Sequence, residues 1–214
     1  MADNVSGLPG RGQTLLSGAG RTLAATGQAE KLEGILKEFN DRDSTSTARV
    51  KPLRSQAKVV MRLVRNVSGI ALLPKRLCVW KTGKRYRQVN GYSYDDHAET
   101  AGVVDECLPS AGVPNNDLFW LAVKGPHLVR TAMEGNVLNY MNEGDVLTSL
   151  TAVTSQSTTA GVCRALLVNG MTATTTQAVS ICLNNIGRAL TARTTANTAG
   201  TTVGFTLVDL DIMK

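Results

Sequence analysis

The sequence predicts a mainly β protein, in which a β-barrel or sandwich-like domain follows an extended N-terminal arm and one short amphipathic helix. Three observations support this prediction. Apolar and polar residues alternate along the last stretch of the chain, at 202–212, as in a strand with one buried face. Turn-forming dipeptides such as Asn90-Gly91 separate other short apolar runs. Aromatic residues make up only 4% of the chain, so Val, Leu, Ile and Ala must fill the core.

These patterns divide the chain into an arm with a helix, residues 1–48, and a β-rich domain, residues 49–214. Residues 1–27 are rich in Gly, Ser, Thr and Ala, and they cannot bury enough apolar surface to fold alone. Within them, GLPGRGQT at 7–14 comes close to a phosphate-binding loop. Gln13 stands where that loop requires a lysine, so we discard a nucleotide site.

A helix is predicted over residues 28–40, where apolar residues recur at helical spacing and charged residues take the opposite face. The four apolar residues are Leu32, Ile35, Leu36 and Phe39. About three turns of helix are only marginally stable alone, so this face needs a partner surface. That surface is either the open end of the same β-domain or a groove on another subunit. Residues 41–48 follow as a linker.

Residues 44–94 carry twelve Lys and Arg and no acidic residue. Over the whole chain, residues 1–90 hold 17 basic and 6 acidic side chains, whereas residues 91–214 hold 6 and 11. Such polarity indicates differently charged partners or docking between copies of the chain. Nucleic acid is one candidate partner, but an acidic protein surface is favoured because few aromatic residues could stack on bases. The candidate partner-binding cations are Arg49, Lys51, Arg54, Lys58, Arg62 and Arg65.

The β-rich domain is predicted to consist of short strands separated by turns. RNVSGIALLPKRLCVWKTG, at 65–83, gives two strands around a proline turn. Leu118–Val123 is the most apolar strand, and Gly125-Pro126 is expected to turn the chain. Strands at Arg188–Arg193 and Thr202–Ile212 end the domain. In the second of these the apolar positions change phase, which predicts a bulge or burial on both faces.

No catalytic, cofactor-binding or metal-ligating motif survives inspection, so we expect a protein that is not an enzyme and needs no cofactor. The group Asp95, Asp96, His97 and Glu99 contains one nitrogen ligand in a turn-like segment, which favours solvated loop charges. His127 has no nucleophile motif beside it, which favours a structural histidine. The four cysteines lie far apart, and free thiols are expected.

The chain contains no apolar run of the roughly 20 residues that span a bilayer. Its first residues also lack the apolar core of a signal peptide. We therefore expect synthesis in a cytosol-like compartment and no membrane partner.

Two segments resemble the cement, or decoration, proteins of tailed-bacteriophage capsids. RNVSGIALLPKRLCVWKTG is similar to their opening strands, which often begin N-x-S-G-x-x-L. IGRALTARTTANTAGTTVGFTLVDLDI, at 186–212, is similar to their closing pair, in which a Gly-x-Ala-Leu strand, an Ala/Thr/Gly loop and an apolar strand follow one another. The two segments cover under a quarter of the chain. The arm and the predicted helix are additions to the family pattern.

The resemblance implies a non-enzymatic subunit that binds between copies of the major capsid protein and stiffens the shell. It also implies a place on the outer surface of the virion, synthesis in the host cytoplasm, and homo-oligomers, often trimers. The runner-up interpretation is a basic β-barrel that binds nucleic acid. The predicted helix and the basic residues are expected to dock the subunit, with apolar burial governing dissociation and charge governing association.

Overall fold

The computed structural model describes residues 8–15, 32–48, 50–92, 99–133, 140–149, 161, 163–165, 185–194 and 202–212. These ranges contain twelve strands: β1 Leu36–Arg42, β2 Leu53–Asn66, β3 Leu77–Trp80, β4 Gln88–Tyr92, β5 Thr100–Val104, β6 Leu118–Met133, β7 Tyr140–Met141, β8 Val146–Ser149, β9 Cys163–Ala165, β10 Asn185–Ala189, β11 Arg193–Thr194 and β12 Thr202–Asp211. Among the described residues, no helix has the length and hydrophobicity that a bilayer crossing requires.

Ten of the strands form one sheet, in the order β1-β2-β4-β3-β5-β6-β12-β10-β8-β9. β6 also pairs with β2 and with β9, while β7 and β11 pair with each other. The β2–β4 and β6–β9 pairs are parallel, and the other pairs in the described ranges are antiparallel. The mainly β class predicted from the sequence is confirmed.

β6 is the strand around which the sheet is organised. Its first half pairs with β2 and β5, and its second half, from Lys124 to Met133, pairs with β12. Gly125 lies where the partners change; its φ is 90°, and a Cβ there would lie 2.3 Å from the Lys58 carbonyl oxygen. Glycine alone fits such a position. The prediction that Gly125-Pro126 turns the chain is therefore wrong, because the glycine bends a strand that continues.

The first half of β6 is buried on both faces, which accounts for its uninterrupted apolar sequence. Trp120 and Ala122 belong to one apolar cluster, which includes residues of β2, β10 and β12. Phe119 and Leu121 belong to a second cluster, with residues of β3, β4 and β5. Because side chains alternate across a strand, β6 separates two parts of the core.

β1 occupies residues that the sequence assigned to a helix. Residues 36–40 belong to this strand, which pairs antiparallel with β2 at the edge of the sheet. The predicted helix is therefore wrong over 36–40, and residues 28–31 lie outside the described ranges. The pairing begins just before β1, where the Gly34 N–H donates to the Leu63 carbonyl at 2.7 Å. Pairing with β2 outweighs a helical spacing that extends over only about three turns.

β12 keeps a single register with β6 along its whole length. Thr206, Val208 and Leu210 are buried on one face, whereas Phe205 on the other face is 55% exposed. The predicted bulge or burial on both faces is therefore wrong. Thr206 takes the inner position instead, and its hydroxyl lies 2.9 Å from the hydroxyl of Thr131. A hydrogen bond between the two hydroxyls satisfies the polar group that each buries.

Candidate partner-binding surface

Three of the four apolar residues predicted to contact a partner lie against the protein's own core. Leu32, Ile35 and Phe39 are partly buried on the cluster that contains Trp120. The Phe39 and Trp120 rings meet edge to face, with their centroids 5.0 Å apart. Leu36 lies on the opposite face of β1 and is 43% exposed. Of these four residues, Leu36 is the most exposed to a partner.

Arg54, on β2, is the centre of a buried ionic cluster. Its guanidinium donates to both oxygens of Asp41, at 2.5 and 3.1 Å, and to both oxygens of Glu106, at 2.8 and 3.3 Å. Both carboxylates are fully buried, and the Arg54 side chain is 17% exposed. Burial by itself would lower the pKa of Arg54, but the hydrogen bonds and charges of the two carboxylates raise it. A cation compensated in this way is held inside the fold, where its loss would leave buried carboxylates uncompensated, and it is not offered to a partner.

The same cluster anchors the N-terminal residues 8–15. Arg11 donates to Asp105 and to Glu106, at 3.2 Å in each case. The Gly12 N–H donates to the second Asp105 oxygen at 2.7 Å. The stretch that comes close to a phosphate-binding loop therefore binds a carboxylate of its own chain. This part of the predicted arm is ordered by the protein's own domain.

His127 lies fully buried beside the cluster. Its Nε2 accepts a hydrogen bond from the Glu106 N–H at 3.1 Å, so the proton is on Nδ1, which donates to the Leu128 carbonyl at 2.8 Å. Burial lowers the pKa of His127 and keeps the ring neutral. Burial also acts to raise the pKa of Glu106, but the charge that His127 carries when protonated, the hydrogen bonds from Arg54 and Ser44 and the charge of Arg54 together hold it below its usual value. Both ring nitrogens are engaged with the backbone, as expected for a structural histidine.

The other predicted basic residues divide between internal contacts and solvent. Arg65 pairs with the buried Glu33 at 2.6 Å. The Lys51 ammonium donates to a nearby backbone carbonyl, and Lys58 is exposed and donates to an asparagine side chain. Arg49 lies outside the described residues.

A group of exposed cations lies between β3 and β4, at residues 81–87, which we call the basic loop. All seven of its residues are exposed, and four are basic: Lys81, Lys84, Arg85 and Arg87. Backbone hydrogen bonds from Lys84 to Lys81 and from Arg87 to Lys84 fold the loop into consecutive turns. Within the described ranges, Arg85 alone of the four has an acidic partner, the half-exposed Glu99.

Arg62 adjoins the basic loop through the ring of Tyr86. The guanidinium carbons of Arg62 and Arg85 lie 4.6 and 4.7 Å from the ring centroid, and the Trp80 ring meets it edge-on at 5.5 Å. At these distances the guanidinium groups are attracted to the ring. Burial lowers the pKa of Arg62, and its Nε has no hydrogen-bond partner among the described residues. Arg62 is thus a half-buried cation that the described part of the chain does not compensate.

These side chains enclose a pocket of about 200 Å³, which we call the Arg62 pocket. Its walls include the charged residues Arg62, Arg85 and Glu99, the aromatic residues Trp80 and Tyr86, and the apolar residues Val123 and Ile212. Leu36 lies beside it, because Leu36 is directly opposite Arg62 in the β1–β2 ladder. The basic loop, the Arg62 pocket and Leu36 form one continuous candidate surface.

Sequence reasoning found only part of this surface. Leu36 and Arg62 were predicted from their spacing and charge, and the acid-free window covers the basic loop. Glu99, Val123 and Ile212 were missed as site residues because they reach the pocket from segments that are distant in the sequence. No local pattern marks a residue that becomes a neighbour only through strand pairing.

The described residues contain no group of three His, Cys, Asp or Glu arranged to hold a metal ion. Of the acidic group weighed in the sequence, Glu99 pairs with Arg85, and residues 95–97 lie outside the described ranges. Cys78, Cys107 and Cys163 are free thiols, as predicted, and Cys182 lies outside the described residues. Burial raises the pKa of Cys107 to about 12.

Comparison with protein-family models and with curated proteins gives no match for this chain.

Proposed function

We propose that this chain is a structural subunit that binds to an assembled protein shell, as the capsid cement proteins that it resembles do. Its partner would be an acidic surface of the major capsid protein, on the outside of the virion. The observation that carries the proposal is the set of cations formed by Arg62 and the basic loop. Among these five, Arg85 alone has an acidic partner in the described part of the chain. Such a set favours a partner that brings carboxylates.

The contacts of Tyr86 favour a protein partner over nucleic acid. Proteins that bind single strands without sequence preference present aromatic rings on which bases stack. Here the ring of Tyr86 is already contacted by two guanidinium groups and by Trp80. Lys81, Lys84 and Arg87 carry charge without a stacking platform, which suits carboxylates on a folded surface. A basic β-barrel that binds nucleic acid is the alternative that the experiment below tests.

The architecture supports a rigid platform for docking. A circuit of strand pairs runs from β2 through β4, β3, β5 and β6 back to β2, which supports the barrel-like domain that we propose. The buried ionic cluster fixes residues 8–15 to this platform. A preorganised surface binds with less loss of conformational entropy than a mobile one. We further propose that the subunit forms homo-oligomers, with trimers favoured.

Leu36 supplies the apolar part of the proposed contact. It is a large side chain, 43% exposed, next to Arg62. Its further burial would stabilise the complex, whereas exposed cations would mainly speed association. Because Lys81, Lys84 and Arg87 are exposed, their attraction should fall as salt is added.

Co-sedimentation with assembled shells of the major capsid protein tests the proposal. The variant carries Lys84→Glu and Arg87→Glu, and the matched control carries the same change of charge at two exposed residues elsewhere, Lys124→Glu and Arg188→Glu. We expect the basic-loop variant to lose about nine-tenths or more of its occupancy at low salt and the control to keep most of it.

A parallel titration with single-stranded and duplex DNA and RNA distinguishes the proposed function from the alternative, nucleic-acid binding. A nucleic-acid binder would bind these polymers without any shell, with an affinity that falls steeply as salt increases. Equal shell occupancy by the two variants would contradict the proposed function, and so would tight salt-dependent binding to nucleic acid with no shell binding.

A further inference from the structure

We infer that the Arg62 pocket is a binding site for a single carboxylate group, supplied by a glutamate or aspartate side chain on the partner. The inference rests on the proposed function, and it names the chemistry that the surface recognises. It starts from Arg62, which differs from the other two arginines of β2 in its partners. Arg54 and Arg65 each have a carboxylate partner at hydrogen-bonding distance. Among the described residues, Arg62 has none, and its Nε has no acceptor.

The geometry of Arg62 suits a carboxylate. The Arg62 guanidinium carbon lies over the Tyr86 ring, 4.6 Å from its centroid, and the Arg62 Nε–H has no acceptor among the described residues. A guanidinium edge matches the two oxygens of a carboxylate. The Arg62 Nε atom is buried, and a buried N–H group without an acceptor is unfavourable. A carboxylate that enters the pocket and accepts from this group would remove that cost.

The ring that positions Arg62 is held in an unusual backbone conformation. Tyr86 has a φ of 66°, a region that residues other than glycine seldom occupy. The turns of the basic loop hold it there, through the hydrogen bonds between Lys84 and Arg87. Backbone outliers of this kind cluster at binding sites. At this position the outlier holds the ring against two guanidinium groups and thereby forms one wall of the pocket.

The remaining walls define the ligand further. Trp80, Val123 and Ile212 offer apolar contacts, which suit the methylene stem of an acidic side chain. The volume of about 200 Å³ equals that of on the order of six or seven water molecules, which is enough for a carboxylate and its stem. Glu99, which also lines the pocket, would repel a doubly charged phosphate more strongly than a singly charged carboxylate. The chemistry therefore favours a carboxylate over a phosphate.

The test uses the free, full-length protein and short blocked peptides, N-acetylated and C-amidated, in which the central residue is Glu or Gln. The readout is the NMR signal of the Arg62 Nε–H group, assigned by its loss in Arg62→Lys. We expect the Glu peptide to shift this signal with millimolar affinity, and the Gln peptide to bind at least about tenfold more weakly. Inorganic phosphate, as a further probe, should bind more weakly than the Glu peptide.

A variant of Arg62 and a matched control variant show whether peptide binding depends on Arg62 itself. Arg62→Gln should lose peptide binding by about tenfold or more, and Lys58→Gln, an exposed cation on the same strand, should bind as the unchanged protein does. An unchanged Arg62 signal at high peptide concentration, or equal binding of Glu and Gln peptides, would overturn the inference. Tighter binding of phosphate would also overturn it.

The failures of the two proposals are distinguishable. If basic-loop charge reversal abolishes shell binding but no peptide binds, the pocket inference is wrong and the proposed function stands. If the Glu peptide binds through Arg62 but the protein never occupies shells, the site is real and the proposed partner is wrong.

Discussion

Arg54 and Arg62 lie on the same strand, β2, and both belong to the acid-free window of residues 44–94. In the fold, Arg54 is held by two buried carboxylates. Arg62 instead contacts the Tyr86 ring, and its Nε has no acceptor in the described ranges. Their pKa values move in opposite directions, because burial opposes the charge of both residues and only Arg54 is compensated. A run of basic residues in a sequence therefore does not define a basic surface.

The acids that compensate the Arg54 end of β2 come from distant parts of the chain. Asp41 lies in β1, and Asp105 and Glu106 follow β5. The charge polarity between the two halves of the sequence is thus partly cancelled inside the fold. What remains for a partner is the set of cations that have no acidic partner in the described part of the chain: Arg62, Lys81, Lys84 and Arg87.

The largest expected effect is a difference in stability between variants of Arg54 and of Arg62. Arg54→Met leaves Asp41 buried without its cation and leaves Glu106 with Arg11 alone, and we expect a loss of about 3–5 kcal/mol in the free energy of unfolding. Arg62→Met removes a charge that has no acidic partner among the described residues, and we expect a change within about 1 kcal/mol in either direction. Urea unfolding of both variants measures the difference. Equal losses would show that Arg62 is as structural as Arg54.

The next effect concerns Glu106 in acid. The pKa of Glu106 is lowered in the folded protein. In the unfolded chain its pKa is about 4.3, so as pH falls the unfolded chain binds the proton at a higher pH than the folded protein does. The stabilisation is therefore present above that pH and is lost as pH falls through the folded value. We expect Glu106→Gln to lower the free energy of unfolding at pH 7 by about 1.5–3 kcal/mol and to flatten its decline in acid. Unfolding curves from pH 7 to 3 test this, with the exposed Glu38→Gln as control; an unchanged decline would exclude Glu106 as its source.

A smaller effect comes from His127, where burial lowers the pKa. The unfolded chain takes up this proton near pH 6.5, so the stability owed to the neutral ring is complete above that pH and falls below it. The slope is at most about 1.4 kcal/mol per pH unit. His127→Gln keeps an acceptor for the Glu106 N–H and should remove the slope between pH 6.5 and 5.5. A slope that survives in this variant would have to come from another group.

The smallest effect is expected at the exposed pair Arg85–Glu99. Both side chains are about half exposed, so solvent screens their attraction and its contribution is about 0–1 kcal/mol. A double-mutant cycle with Arg85→Gln and Glu99→Gln measures the coupling. A coupling well above 1 kcal/mol would place this pair among the structural contacts, with Arg54, and not on a surface that exchanges partners.

The comparison also shows how far the sequence could predict the fold. The alternation of apolar and polar residues predicted a mainly β chain, because this signal acts over a few residues. The turn predicted at Asn90-Gly91 is wrong, because both residues lie inside β4. The predicted helix failed over 36–40 because the spacing of Leu32, Ile35, Leu36 and Phe39 fits a helix, whereas pairing with β2 depends on residues that follow far along the chain. The continuation of β6 through Gly125 was missed for the same reason, since the contact that requires glycine is the Lys58 carbonyl.

For the candidate surface, the sequence predicted a list of individual residues but not which of them lie together on the surface. Charge reversal at Arg54 or an aspartate at Phe39 would disturb the ionic cluster or the contact with Trp120. Loss of shell binding in such variants would therefore report on folding. Leu36 and Arg62 are the positions from that list at which a change tests binding, because neither holds the core together.

Shell occupancy of the Arg62→Gln variant tests the central claim most directly. The variant is compared with Lys58→Gln at equal concentration, after unfolding curves have confirmed that both are as stable as the unchanged protein to within about 1 kcal/mol. We predict that Arg62→Gln needs about a tenfold higher concentration to fill half of the shell sites and that Lys58→Gln does not. Equal occupancy of the two variants, or a loss of stability in Arg62→Gln that matches Arg54→Met, would contradict the claim.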